Sequence, residues 1–113
     1  AAIGPYSQAK VSGGFVFTSG QIPADPMSGE IVGADVTAQA EQVMANLGAV
    51  LAAAGSDFSR VVKATCFLAS MDDFAAFNAV YGKYMTGKPA RSCVAVKMLP
   101  KNVLCEVEAI AEV

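Results

Sequence analysis

Few residues in this chain can do polar chemistry, and Arg91 is the first candidate. The sequence has no histidine and only two arginines, Arg60 and Arg91. Arg91 opens an apolar segment, where a guanidinium is costly to dehydrate unless another group pairs with it. Two interpretations follow. Arg91 forms a structural ion pair with a carboxylate such as Glu106, or its planar fork anchors the carboxylate of a substrate.

Glu106 and Cys93 are the other candidates for direct chemistry. Glu106 is either an exposed strand carboxylate, like its neighbour Glu108, or a carboxylate that holds and polarises water. Cys93 is more typical of a small buried hydrophobic residue than of a nucleophile, because no histidine is available to activate its thiol. The absence of histidine excludes a Ser-His-Asp triad and a Cys-His dyad, and we expect no metal site.

Composition limits the classes of protein to which the chain can belong. Its 113 residues suit one domain, residues 1–113. The net charge of −2 speaks against a nucleic-acid partner. Hydrophobic residues make up 54% and charged residues 16% of the chain, which excludes disorder. A domain this small has little interior for so much apolar surface, so we expect another copy of the chain to cover part of it.

The sequence also indicates where in the cell the protein is expected. No apolar run approaches the roughly 20 residues that cross a bilayer, so no membrane partner is expected. The three irregularly spaced cysteines do not form a disulfide framework, which favours a reducing, cytoplasmic location. Because the chain opens at Ala1, removal of a targeting peptide and an organellar location stay open.

The first half of the chain predicts a hairpin, a loop and a helix. Two short β-prone segments, residues 9–11 and 15–19, flank a Gly-Gly turn. Residues 23–33 are rich in turn formers and predict a loop with a short strand near Ile31. Apolar residues then recur at steps of four and three, which predicts a helix from an N-cap at Asp35 to a stop at Gly55. The predicted stripe comprises Val36, Ala40, Val43, Leu47, Val50 and Ala54.

The second half predicts three strands and another helix. Residues 61–68 form a strand, and a helix starts at residues 70–73 and ends before residues 87–89. Residues 91–98 and 104–113 form two more strands around a turn at 100–102. The strand at 61–68 is expected to place four residues on one face: Val62, Ala64, Cys66 and Leu68.

The predicted order, β-β-(β)-α-β-α-β-β, indicates an α+β fold in which two helices cover one face of a mixed sheet. We expect Val94 and Val96 beneath the helices, which puts Arg91 and Cys93 on the open face. If the last two strands pair through the turn at 100–102, Arg91 and Glu106 share that face, although the sequence does not fix the register.

Four motifs in series carry a resemblance to a known family. They are Ile3-Gly4-Pro5-Tyr6-Ser7-Gln8-Ala9, Thr18-Ser19-Gly20-Gln21-Ile22-Pro23, Pro89-Ala90-Arg91-Ser92-Cys93-Val94, and Leu99-Pro100 with Glu106-Val107-Glu108-Ala109-Ile110-Ala111. Over essentially its whole length, the chain resembles the Rid family of YjgF-type reactive intermediate deaminases. The arginine of the third motif is similar to the mark of the RidA subgroup.

The resemblance implies a fold and an activity. The fold would be chorismate-mutase-like, with strand and helix order β-β-β-α-β-α-β-β. It would assemble as a homotrimer with sheets around a central barrel and active sites between adjacent subunits. The reaction would be hydrolysis of 2-iminobutanoate and 2-iminopropanoate, which amino-acid dehydratases form, to 2-keto acids and ammonia. No metal or organic cofactor would be needed.

The resemblance also implies roles for individual residues. Arg91 would bind the substrate carboxylate, main-chain groups at Cys93 would orient the substrate, and Glu106 would position the attacking water. Among further substrate-binding positions, Tyr6 and Ser19 would line the pocket, Gly20 would allow close backbone approach, and Asn78 matches a recurrent family position. The connection at residues 85–88 is shorter than in many members, which affects the expected range of substrates.

Two alternatives remain beside the deaminase. The first is a regulatory trimer that binds keto acids or amino acids in the Arg91 pocket without turnover. The second is an endoribonuclease or translation inhibitor, as some relatives are described. The negative net charge and the absence of a basic stripe count against the second.

Overall fold

The computed structural model describes residues 6–113, so the motif residues at positions 3–5 lie outside the described part. The chain forms a five-stranded sheet and two helices. In chain order these are β1 (Ala9–Ser12), β2 (Phe15–Thr18), α1 (Val36–Ala53), β3 (Val61–Leu68), α2 (Phe74–Tyr84), β4 (Ala90–Ala95) and β5 (Cys105–Glu112). Short 3-10 turns lie at Phe58–Arg60, Met71–Asp73 and Pro100–Asn102.

The strands lie in the order β1-β2-β5-β3-β4. Strands β3 and β4 are parallel, and the other neighbouring pairs are antiparallel. The last two strands therefore do not pair through the turn at 100–102, which was the condition for Arg91 and Glu106 to share a face. Helix α2 returns the chain parallel to β3 on one side, and β5 takes the other side of β3.

The first hairpin is confirmed. Gly13 and Gly14 have φ angles of 60° and 84°, as a two-residue turn between twisted strands requires. The loop after β2 is confirmed as well, but no strand forms near Ile31. That residue makes only an isolated bridge with Ala24.

Helix α1 begins where predicted, because the Asp35 side chain accepts a hydrogen bond from the Ala38 N–H at 2.8 Å. Past its end, Gly55 adopts a φ of 84°. The predicted stripe is wrong at Val50, whereas Ala54 packs against the core as expected. Met44 and Leu51 are fully buried, so the buried side of the helix extends toward these two residues and away from Val50.

Strand β3 carries a bulge that the sequence pattern did not show. The register with β5 shifts between Val61 and Lys63. As a result Val61 is buried and Val62 is exposed, the reverse of the prediction for Val62. The remaining predicted members, Ala64, Cys66 and Leu68, do share the buried face.

Helix α2 follows a 3-10 turn that Ser70 caps by accepting a hydrogen bond from the Asp72 N–H. Strand β4 ends at Ala95 rather than at residue 98, so Val96 lies outside it. In strand β5 every second residue is buried, and the glutamates lie on the other face.

The register shows that the predicted faces of β4 are wrong. Arg91 lies beside Ala64, and Cys93 beside Cys66. Both partners belong to the buried, helix-covered side of the sheet. Arg91 and Cys93 therefore face α2, and Val94 lies on the open face. The apolar pattern of β4 misled the prediction because helix α2 offers the arginine polar and aromatic partners.

The open face of the sheet carries several apolar side chains together with the glutamates of β5. Phe17 and Val94 are 44% and 46% exposed there. Phe17 is in register with Ile110, and Val94 with Phe67, so the apolar residues extend across the sheet. Among residues 6–113, neither helix combines the length and apolar character needed to span a bilayer.

Candidate functional site

Arg91 is held by one face of helix α2. Its Nη1 donates a hydrogen bond of 2.6 Å to Oδ1 of Asn78. Its Cζ lies 4.7 Å from the centre of the Tyr81 ring and 5.5 Å from that of Phe74. Residues 74, 78 and 81 are spaced by four and three, so they share one side of the helix. The three α2 residues provide the polar and π contacts that a guanidinium needs when it is partly dehydrated.

Of the two interpretations of Arg91, the structural ion pair with a carboxylate such as Glu106 does not form within residues 6–113. Within residues 6–113, the ion pair formed is that of Lys83 with Glu41, between the two helices. A guanidinium carries five N–H donors, and the hydrogen bond to Asn78 occupies one of them. Arg91 thus keeps donors and its full charge for another group.

A cleft of about 420 Å³ opens beside Arg91. This volume suits a small molecule. The cleft is lined by Asn78, Tyr81, Gly82, Met85, Thr86, Lys88, Pro89 and Arg91. This described lining contains two cations and no carboxylate, so the electrostatics of the cleft favour an anion.

Cys93 lies two residues after Arg91 on the same face of β4 and is half-buried beside the fully buried Cys66. Burial raises the pKa of the Cys93 thiol and raises that of Cys66 to about 12. Both thiols therefore stay protonated near neutral pH, which argues against a nucleophilic cysteine. Strand β4 ends the described sheet, so the outer edge of its backbone pairs with no described strand. Main-chain groups of β4 are thus available beside Arg91.

Glu106 lies elsewhere, half-buried on the open face. Burial and the nearby Glu108 raise the pKa of its carboxyl group. Gly20 lies directly against it, and a Cβ atom at that position would overlap the Glu106 carboxylate oxygen. Backbone hydrogen bonds in both directions between Gln21 and Val107, at 2.8 and 3.1 Å, hold the chain in this close approach.

Tyr6 and Ser19 lie on the same side of the molecule as Gly20. The Ser19 hydroxyl donates to the carbonyl of Ser7, and its N–H donates to the carbonyl of Gln8 at 2.8 Å. Tyr6 is 46% exposed and, together with Gly20, lines a second cleft of about 670 Å³ beside α1. We call Tyr6, Ser19, Gly20 and Glu106 the Glu106 region, and Phe74, Asn78, Tyr81 and Arg91 the Arg91 region.

One protomer does not bring the two regions together. Strand β3 lies between β4 and β5, and neighbouring strands are about 4.8 Å apart, so Arg91 and Glu106 stand on strands roughly 10 Å apart. Arg91 also points to the helix-covered face, whereas Glu106 points to the open face. A ligand as small as an amino acid cannot touch both side chains of one protomer.

The sequence analysis did not single out Phe74 and Tyr81, whose rings face Arg91 in the structure. The available signal was their spacing around Asn78, because an amide between two aromatic residues on one helix face can hold a cation. Among residues 6–113, no group of three or more Cys, Asp or Glu residues is placed to hold a metal ion.

Comparison with known proteins agrees with this architecture. The model of a family described as "Endoribonuclease L-PSP" matches residues 1–113. The 2-iminobutanoate/2-iminopropanoate deaminase of Escherichia coli is 50% identical over 115 residues, covering 98% of this chain and 89% of that protein. A Lactococcus lactis protein described as a regulator, AldR, is 55% identical over 114 residues, covering 100% and 90%.

A solved structure of Escherichia coli TdcF with bound serine superposes with a TM-score of 0.93 at 46% identity, covering 99% of this chain and 91% of that one. A Thermotoga maritima structure described as an endoribonuclease reaches a TM-score of 0.95 at 51% identity, covering 99% and 89%. The α+β architecture is thus shared with proteins whose descriptions differ in function. The chain belongs to the endoribonuclease L-PSP family, which is the Rid, or YjgF-type, family that its motifs resemble.

Proposed function

We propose that the protein hydrolyses 2-iminobutanoate and 2-iminopropanoate to the corresponding 2-keto acids and ammonia. The observation that carries this proposal is the setting of Arg91, whose guanidinium borders a carboxylate-free cleft with donors unused. Two relatives bear the name of this activity, one of them from Escherichia coli. A third relative of known structure, TdcF, binds serine, a small molecule with the same carboxylate group.

Arg91 would bind the carboxylate of the imino acid. Its planar fork matches a carboxylate through two parallel hydrogen bonds. Main-chain groups of β4 at Cys93 would contact the rest of the substrate and fix the imine carbon. Fixing the carboxylate in this way makes the attack of water effectively intramolecular.

Glu106 would hold the attacking water. As a carboxylate it accepts a proton from the water while the oxygen bonds to the carbon of the protonated imine, giving a neutral carbinolamine. Return of that proton to the nitrogen makes the amine a leaving group. As the carbon–nitrogen bond breaks and releases ammonia, the hydroxyl gives its proton to the Glu106 carboxylate and its oxygen becomes that of the keto acid. A pKa raised by burial makes Glu106 a stronger base than an exposed glutamate. The imine carbon is already electrophilic, so the reaction needs neither metal nor organic cofactor.

The separation of the two regions points to a site shared between copies of the chain. We propose a homotrimer in which the Arg91 region of one protomer faces the Glu106 region of the next. Tyr6, Ser19 and Gly20 would then line the same pocket as Arg91. Such an assembly would also cover the apolar side chains of the open face, such as Phe17 and Val94. The three free cysteines of the chain suit a reducing compartment such as the cytoplasm.

The test generates 2-iminobutanoate with a threonine dehydratase and follows release of 2-ketobutyrate. The wild-type protein should accelerate release above the spontaneous rate, and Arg91→Ala should remove nearly all of that gain. No acceleration by the wild type, or full activity in Arg91→Ala, would refute the proposal.

A regulatory protein that binds keto acids or amino acids in the same cleft is a second candidate. The resemblance to AldR, which is described as a regulator, favours it. Calorimetry with 2-ketobutyrate separates the two candidates. Tight binding that depends on Arg91, without acceleration of imine hydrolysis, would identify the binding protein.

A further inference from the structure

We propose that Tyr81 is a positioning residue, and that the face of its ring holds the Arg91 guanidinium in the orientation that receives a carboxylate. This inference rests on the proposed function, because it concerns how the substrate carboxylate is recognised. It adds a residue to the site that the sequence motifs did not single out.

The geometry of the Arg91 region carries the inference. Tyr81 is the closer of the two rings, with its centre 4.7 Å from Cζ of Arg91, against 5.5 Å for Phe74. Both distances lie within the roughly 6 Å over which a cation is attracted to a ring face. The Asn78 amide fixes the guanidinium at a third point. Since arginine is long and has many rotamers, holding it in advance lowers the entropy cost of binding a ligand.

The ring of Tyr81, not its hydroxyl, makes the contact with Arg91. Its hydroxyl oxygen is buried and has no hydrogen-bond partner among residues 6–113. Burial also raises the pKa of the phenol to about 12, so the group stays neutral at physiological pH. A buried hydroxyl with no partner contributes no stability of its own. Its replacement by phenylalanine therefore preserves the contact that matters.

Tyr84 provides a matched control on the same helix. It stands three residues further on, its ring centre lies 5.5 Å from that of Phe58, and its hydroxyl donates to Glu41. No described contact joins it to Arg91. Replacing Tyr84 with leucine removes as much aromatic surface as the same change at Tyr81, but leaves the guanidinium in place.

The experiment compares Tyr81→Leu, Tyr81→Phe and Tyr84→Leu in the full-length protein. Calorimetry with 2-ketobutyrate gives the Kd, and the coupled dehydratase assay gives KM and kcat for 2-iminobutanoate. Tyr81→Leu should raise both Kd and KM about tenfold with little change in kcat, because the lost contact acts on binding. Tyr81→Phe should restore the affinity to within about threefold of the wild type. Tyr84→Leu should lower the Tm without changing Kd.

Several results would overturn the inference: an unchanged Kd in Tyr81→Leu, an equal loss in Tyr81→Phe, which would assign the role to the hydroxyl, or no binding of 2-ketobutyrate by the wild type. If Tyr81→Leu does not fold, Tyr81→Met takes its place, because it also removes the ring and its flexible side chain adapts to the space left. Binding without turnover would refute the deaminase proposal alone, and the Kd series would still decide the role of Tyr81.

Discussion

Arg91 carries its charge on a planar guanidinium group. This shape allows paired hydrogen bonds to a carboxylate and a flat contact with the Tyr81 ring. Arg91→Lys keeps the charge but loses the paired hydrogen bonds and the flat surface that packs on Tyr81. We expect its KM for 2-iminobutanoate to rise at least tenfold, since a good charge-assisted hydrogen bond is worth about 1.5–3 kcal/mol. Steady-state kinetics in the dehydratase-coupled assay measure the change.

The control is Arg60→Lys. Arg60 is exposed in the 3-10 turn before β3 and does not line the cleft. Its substitution should leave KM and kcat unchanged. Equal kinetics for Arg91→Lys and the wild type would show that charge alone suffices and that the fork is not used.

The raised pKa of Glu106 predicts how the rate of the proposed reaction depends on pH. The folded protein raises the pKa of this carboxyl group above the ordinary value of 4.5, mainly through burial. In the proposed mechanism the carboxylate form of Glu106 holds the water, so kcat/KM corrected for spontaneous hydrolysis should fall as the pH decreases, with its midpoint above 4.5. Glu106→Gln should lose about a hundredfold in rate and show no acid limb.

The same pKa shift has a consequence for stability, which serves as the control. A raised pKa in the folded state contributes stability below the unfolded pKa, and this contribution is lost as the pH rises through the folded pKa. Glu106→Gln should therefore not lower the free energy of unfolding at pH 7. A destabilised variant at pH 7, or an acid limb retained in Glu106→Gln, would assign the titration to another group.

At the residue scale, the candidate residues could be found in the sequence more readily than their surroundings. The scarcity of arginine and the lack of histidine are enough to direct attention to Arg91 and Glu106. The partner of Arg91 could not be predicted in the same way. It depends on which side of β4 faces α2, and that follows from long-range packing rather than from the alternation of residues along the strand.

At the scale of elements, Glu106 is positioned by the segment after β2, which lies close against β5. Gly20→Ala places a methyl group where the Glu106 carboxylate lies. The end of a glutamate side chain can move aside, so the protein should fold, but the carboxylate would leave its position. We expect a loss of activity comparable to that of Glu106→Gln, with a Tm close to that of the wild type, measured by the coupled assay and thermal melting.

The double variant Gly20→Ala with Glu106→Ala tests whether the added methyl group meets any part of the protein other than the Glu106 side chain. With the long side chain removed, the added methyl group meets no carboxylate. The double variant should then be as stable as Glu106→Ala alone. Full activity in Gly20→Ala would mean that the carboxylate need not occupy its present position.

Most elements could be predicted because their signals are local. The Gly-Gly turn, the Asp35 N-cap and the alternation of β5 each lie within a few residues of the structure they specify. The bulge in β3 could not be predicted in that way. It arises where the register with β5 shifts between Val61 and Lys63, so it depends on a partner strand far along the chain.

At the scale of the whole molecule, the open face of the sheet predicts assembly. Phe17→Glu introduces a charge among the exposed apolar side chains of that face. We expect the trimer to dissociate and activity to disappear, although neither Arg91 nor Glu106 is altered. Light scattering after size-exclusion chromatography gives the mass. Ala52→Glu, a change at an exposed position of α1, is the control and should stay trimeric and active. A monomeric wild type that is fully active would contradict the shared site.

The surplus of apolar residues pointed to self-association, but the sequence did not reveal the order of the strands. That order, with β3 between β4 and β5, separates Arg91 from Glu106. The expected sharing of one face by these two residues was wrong for this reason. The same separation now supports a site built by two copies of the chain.

Mixing two inactive variants tests this shared site most directly. Arg91→Ala supplies intact Glu106, and Glu106→Gln supplies intact Arg91. After subunit exchange at equal amounts, about one quarter of the sites in a cyclic trimer should pair both intact residues. The mixture should therefore regain about one quarter of the wild-type deaminase rate, with co-purification of differently tagged chains confirming exchange. A mixture that exchanges subunits but remains inactive would contradict a site formed by Arg91 of one protomer and Glu106 of the next.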